Sequence, residues 1–151
     1  EGKNINEVKY LNDKTFSPRG TTALLDAIGT TIADNRKRFK LMDELKKPKN
    51  IIIVIITDGF ENASKLFTRK QIFRKITNRK LKDKWTFIFL GANQDAIVEG
   101  SKFGISVDLC LTIDTSEGGV KHAFASLVKQ SKCIMRDDKY IPKFSQTDRE
   151  I

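Results

Sequence analysis

The chain is poor in the residues that build specialised chemistry: 151 residues hold two cysteines, three prolines and one histidine. Cys110 and Cys133 are too few and too unpatterned for a disulfide framework or a cysteine metal cluster. They read as free thiols of a reducing compartment, so the expected localisation is cytoplasmic. No apolar run approaches the ~20 residues that a membrane-crossing helix needs, and no signal peptide is recognisable. Gly-x-Ser-x-Gly, Gly-x-x-x-x-Gly-Lys and Gly-x-Gly-x-x-Gly are all absent. Their absence removes the usual supports for acyl transfer, nucleotide hydrolysis and dinucleotide binding. His122 stands alone within an expected helix, where a structural role is the simpler reading. The first residue is Glu1 and not Met, from which an upstream segment is expected.

What is present suits one soluble domain with a sizeable core: 39% hydrophobic and 31% charged residues. The formal charge is +9, which favours acidic partners. Much of it lies in two segments, Arg36 to Lys49 and Arg69 to Lys84. Both have helical character and read as solvated outer faces, because charge alone does not make a nucleic-acid site. The interleaving of aromatic and basic residues found in RNA-binding sheets is missing.

Residues 1–19 are polar and irregular, with Val8, Tyr10, Leu11 and Phe16 as isolated anchors and a turn at Pro18-Arg19-Gly20. From Thr22 the apolar positions Leu24, Leu25, Ile28, Ile32 and Phe39 recur at helical spacing, loosening after Arg36 and stopping before Pro48. Ile51 to Ile56 is apolar and β-branched throughout and bounded by Pro48 and Asp58-Gly59. This is a strand, and its lack of alternation predicts cover on both faces. Thr68 and Gln71 have capping-box spacing for a second helix, with Ile72, Phe73 and Ile76 expected inward. Trp85 to Leu90 reads as a second strand. A short helix over Ala96 to Phe103, stopped by Gly104, follows it. Val107 to Ile113 reads as a third strand. Val120 to Val128 reads as a last helix with Ala123, Phe124 and Leu127 inward. The organisation expected is a lead-in over 1–19, a core over 20–132 and a mixed surface tail over 133–151. Alternating strand and helix predict an open parallel, Rossmann-like α/β sheet with helices on both faces. Ligands of such sheets sit at the carboxyl ends of the strands, here Thr57-Asp58-Gly59 and Gly91-Ala92-Asn93.

Two segments together carry a resemblance. Gly20-Thr21-Thr22-Ala23-Leu24-Leu25-Asp26-Ala27-Ile28 resembles the threonine loop and following helix of von Willebrand factor type A domains. Ile53-Val54-Ile55-Ile56-Thr57-Asp58-Gly59 resembles their fourth strand and aspartate loop, and Phe87 to Ala92 falls where their fifth strand belongs. Gly91-Ala92-Asn93-Gln94-Asp95 is similar to bacterial and phage members of the group. The resemblance covers about residues 8–130. Neither motif is specific alone; their order and their separation by one helix carry the match.

The resemblance implies a protein-binding module and not an enzyme. Its metal-ion-dependent adhesion site holds Mg²⁺ or Mn²⁺ through an Asp-x-Ser-x-Ser loop, a threonine and an aspartate, and a partner's carboxylate completes the shell. Carried over by residue, the threonine is Thr22 and the aspartate is Asp58. The six-residue step from Thr22 to Ile28 selects Thr22 over Thr21. Hydroxyl and carboxylate oxygens suit a hard divalent cation. Asp-x-Ser-x-Ser is absent from the chain, so the site is expected to be incomplete and the metal weakly held or absent. The resemblance also implies missing strands before residue 1. Ile51 to Ile56 would then be an open edge, inviting self-association. Glu61 and Asn62, just past the aspartate loop, are candidates to support the ligands from behind. Plainer roles stand beside all of these: Thr22 as a helix N-cap, Asp58 as an Asx-type turn residue, Glu61 and Asn62 as loop polarity, Asp95 as a helix start. Two other functions remain open. One is a metal-dependent hydrolase using Asp58, with Glu61 the one acid near it. The other is a nucleic-acid-associated protein working through Arg69 to Lys84.

Overall fold

The computed structural model describes residues 3–10, 12–15, 17, 20–92 and 95–150. The anchors Leu11 and Phe16, the Pro18-Arg19 part of the expected turn and Asn93 lie outside the described residues. Three parallel strands form one open sheet in the order β1 (Ile52–Thr57), β2 (Thr86–Ala92), β3 (Cys110–Ile113). Ile52 stands opposite Thr86 and Thr57 opposite Gly91, while Phe89 stands opposite Cys110 and Ala92 opposite Ile113. Among the described residues five α-helices accompany them: α1 (Leu24–Lys40), α2 (Arg69–Asp83), α3 (Ala96–Lys102), α4 (Glu117–Arg136) and α5 (Gln146–Arg149). The chain is therefore α/β and Rossmann-like, as the alternation of elements predicts.

β2 is the centre. Phe87, Ile88, Phe89 and Leu90 are all buried, and successive side chains point to opposite faces, so both of its faces are covered. On the Phe89 side, α3 supplies Phe103, whose ring centroid lies 6.0 Å from that of Phe89. On the other side, Val120 and Phe124 of α4 stand near Ile56. β1 departs from the expectation of cover on both faces. Ile55 is buried, but Ile51 to Val54 are half-buried and Ile56 is 51% exposed. A strand with one neighbour and a helix layer that stops short of it cannot bury every isoleucine. β1 is an edge of the three-stranded sheet.

Local chemistry explains where the helices begin and end. Thr68 caps α2 as expected: its hydroxyl accepts from the Gln71 amide, and the Gln71 side chain accepts from the Thr68 amide. α3 ends at Phe103, and Gly104 follows with φ +79°, where a glycine avoids the Cβ clash. α1 stops at Lys40, before Pro48, and a short 3₁₀ turn over Glu44–Lys46 fills the gap to β1. Two inward assignments are corrected. Phe73 and Phe124 are each 44% exposed, because each lies at the margin of its helix's buried stripe. The third strand is shorter than expected, since Val107–Leu109 is a 3₁₀ turn and only Cys110–Ile113 pairs. α4 is longer than expected and runs to Arg136, across position 132.

The segment beyond Cys133 is tied down and does not simply wander over the surface. Phe144 is buried, Ser126 donates to Asp148 at 2.8 Å, and Tyr140 donates to Gln130 at 2.8 Å. Arg149 donates to the carbonyls of Cys110 and Val107, both at 2.8 Å. Among the described residues no helix is long and apolar enough to cross a membrane.

One backbone position carries strain. Lys84 closes α2 with φ 55°, the left-handed region that disfavours any residue with a Cβ. Lys84→Gly is expected to stabilise the fold by about 0.5–1 kcal/mol, read as a raised midpoint in urea unfolding. An unchanged or lowered midpoint would show that Lys84 contributes contacts that offset the strain.

Candidate functional site

The carboxyl ends of the three strands open into a cleft of about 320 Å³ bordered by Thr57, Asp58, Ala92, Ile113 and Thr115, with Ile56, Val120 and Phe124 as its apolar side. Asp58 is exposed and its carboxylate makes no hydrogen bond among the described residues. The turn after β1 is instead closed by Thr57, whose hydroxyl donates to the Gly59 carbonyl at 2.8 Å. The Asx-type role considered for Asp58 is therefore taken by its neighbour.

Thr22 is brought to this turn from the start of α1. Its Oγ1 lies so close to Gly59 that a Cβ added at position 59 would come within 2.9 Å of it. A reciprocal pair of hydrogen bonds fixes it there: the Thr22 amide donates to Asn62 Oδ1 at 2.8 Å, and the Asn62 amide donates to the Thr22 carbonyl at 3.0 Å. Thr22 is not the helix N-cap. Ala23 occupies that position with no side-chain cap of its own.

The orphan amides of α1 are capped from across the chain instead. The Leu25 amide donates to Glu61 Oε2 at 2.9 Å and the Asp26 amide to Ser64 Oγ at 3.0 Å. Glu61 also accepts from the amides of Ala63 and Ser64 and from the Ser64 hydroxyl. In return Asp26 accepts from the amides of Lys65, Leu66 and Phe67 at 2.7–2.9 Å. Each side thus satisfies the donors of the other, where unpaired amides would be costly. For Glu61, burial raises the carboxyl pKa. The donors from Leu25, Ser64 and Ala63 outweigh that and hold it below the ordinary value. For Asp26, burial likewise raises the value and its three amide donors bring it below the usual carboxylate range.

The structure therefore places Thr22 and the Asp58-Gly59 turn together, and Glu61 and Asn62 position Thr22 and the start of α1 through hydrogen bonds. The signal for that role was weak, since the partners lie some forty positions apart in the chain. Asp95 caps α3, accepting from the amides of Ile97 and Val98 at 3.0 Å, which is the simpler role weighed for it. His122 is not among the residues bordering the cleft; its Nε2 is buried without a partner among the described residues. Both cysteines are free; burial pushes the Cys110 thiol up to about 11, which keeps it protonated and unreactive.

A divalent cation fits this corner in kind but not in number. One hydroxyl and one carboxylate offer the hard oxygens that Mg²⁺ or Mn²⁺ takes, but an octahedral shell needs more. Among the described residues no three His, Cys, Asp or Glu side chains gather around one point. No family model, no curated protein and no solved structure matches this chain.

Proposed function

We propose that the chain is part of a protein-binding module of the von Willebrand factor type A kind, with Thr22 and Asp58 as two oxygen ligands of a metal-ion-dependent adhesion site. The observation that carries this reading is the Thr22 hydroxyl lodged against the Asp58-Gly59 turn at the carboxyl end of β1. Helix α1 runs antiparallel to β1, so the α/β fold itself brings the start of α1 to the carboxyl end of β1, and there the two motifs of the resemblance lie side by side. The unengaged carboxylate of Asp58 supports the same reading, because a ligand must not be spent on internal hydrogen bonds. When bound, the metal would accept an acidic side chain of a partner. The further oxygens of its shell would come from that partner or from water. Ile56, Val120 and Phe124 give the partner an apolar landing next to the carboxylate. A hydrolase built on Asp58 gains little support. Glu61, the one acid near it in sequence, is committed to four hydrogen bonds with the start of α1 and its own loop.

Mn²⁺ itself is the probe for this site, because its paramagnetism broadens amide signals nearby. Titrated into the isotope-labelled chain, Mn²⁺ should broaden the amides of Thr22, Asp58 and Gly59 first, with weak affinity on the order of 1 mM. Asp58→Ala should abolish the selective broadening and leave the remaining spectrum folded. Broadening that persists in Asp58→Ala, or that centres elsewhere, would remove the metal from this corner.

A further inference from the structure

The two basic segments of the sequence, separate in the chain, converge in space. Arg36, Lys37 and Lys40 from the last turns of α1, Lys47 from the following loop, and Lys75 and Arg79 from α2 surround a groove of about 870 Å³. It opens at the amino ends of β1 and β2, marked by Ile51 and Trp85, and so lies at the end of the sheet opposite Asp58. Its floor is apolar: the half-buried Phe39 and Ile51 lie at its surface, over the buried Ile32 and Trp85.

The charges are not balanced from within. Among the described residues Asp83 is the one acid on the groove, and Arg79 already engages it; Lys47 pairs with Glu44. Arg36, Lys37, Lys40 and Lys75 have no acidic partner among the described residues. Four unneutralised cations around an apolar trough repel one another, and a ligand carrying both apolar groups and carboxylates would relieve that repulsion while covering the floor.

The aromatic residues argue against a nucleic acid as that ligand. Single strands bind by stacking bases on exposed ring faces. Here Trp85 is 5% exposed, with Phe39 edge-on to it at 5.9 Å and Phe87 stacked at 6.3 Å. Trp85 offers a base no open face, and the half-buried Phe39 has the Arg38 guanidinium 5.9 Å from its ring centroid. A duplex offers phosphates but no apolar groups for the floor. An amphipathic helix with an acidic outer rim offers both.

We propose that this groove docks an acidic amphipathic segment of a partner protein, its apolar residues on the floor and its carboxylates against Arg36, Lys37, Lys40 and Lys75. The site is separate from the Asp58 corner and does not depend on a metal.

The probe is a fluorescein-labelled amphipathic peptide with Leu and Phe on one helical face and Glu on the other. It is measured by anisotropy against the full chain, beside a Gln-for-Glu version and a single-stranded oligonucleotide. Trp85 is the sole tryptophan and reports occupancy of the floor directly. The acidic peptide should bind saturably and change Trp85 emission, and the Gln version should not. The combined variant Arg36→Glu, Lys40→Glu and Lys75→Glu should weaken binding by about tenfold or more. A control with the same charge change elsewhere (Lys132→Glu, Lys139→Glu and Lys143→Glu) should stay within about twofold. Circular dichroism confirms that both variants fold. Failure of the acidic peptide to saturate overturns the proposal, as does equal loss in the two variants. Tighter binding of the oligonucleotide, lost in the groove variant alone, would assign the groove to nucleic acid instead.

Discussion

Phe89→Ala should cost about 3–5 kcal/mol of folding stability and lower the thermal midpoint by roughly 10 °C. The residue is fully buried on the central strand, where three elements meet. It stands opposite Cys110 of β3, faces the Phe103 ring at 6.0 Å, and packs against Gly100 of α3. Gly100 has no side chain to fill the space that Phe89 would leave, since a Cβ there would already press on Cys110 Sγ at 2.4 Å. The cavity therefore cannot collapse cheaply, and the cost sits toward the upper end of the range. Urea unfolding followed by Trp85 fluorescence measures it. A loss under about 1 kcal/mol would mean that β2 is not the centre of the core.

Glu61→Gln should destabilise the chain by about 2 kcal/mol at neutral pH, although it removes no heavy atom. The carboxylate accepts from the amides of Leu25, Ala63 and Ser64 and from a hydroxyl; an amide group turns one of those acceptors into a donor facing donors. The effect has a pH signature with a definite sign. Glu61 titrates below its ordinary value of 4.5 in the folded chain and near that value when unfolded. Its contribution is complete above about 4.5 and disappears as pH falls through the depressed folded value, because the unfolded chain binds the proton first. The gap between wild type and Glu61→Gln should therefore close on acidification. A gap that is independent of pH down to the acid limit would show that packing, and not charge, explains the loss. The same substitution should loosen Thr22 from the Asp58 turn, so the selective Mn²⁺ broadening should weaken with it.

The contrast between these residues shows what the sequence could disclose. Local rules read well: the Thr68–Gln71 capping box, the stop at Gly104 and the apolar run of β1 depend on neighbours within a few positions. The parallel sheet followed from the alternation of such pieces. Ile56 and the two phenylalanines went the other way, since exposure depends on which helix reaches over them and no local pattern encodes that. The length of α4 was also hidden. It is tied to the tail by Tyr140, which donates to Gln130, and by Asp148, which accepts from Ser126. The candidate site was half legible. Thr22 and Asp58 stand out by motif, whereas Glu61, Asn62 and Asp26 hold them through bonds across some forty positions. A residue such as Glu61 looks like ordinary loop polarity until the amides it serves are known.

Helix α1 runs from the Asp58 corner to the basic groove. Its first turn is held by Glu61 and Ser64, and its last turns form one wall of the basic groove. Seventeen residues make a rod of about 25 Å, stiff along its axis. A displacement of the basic end along that axis would be carried to Leu25 and Asp26, which hold the loop beside Thr22 and Gly59. Any such coupling is reciprocal: the factor by which occupancy of one end alters affinity at the other is the same in both directions.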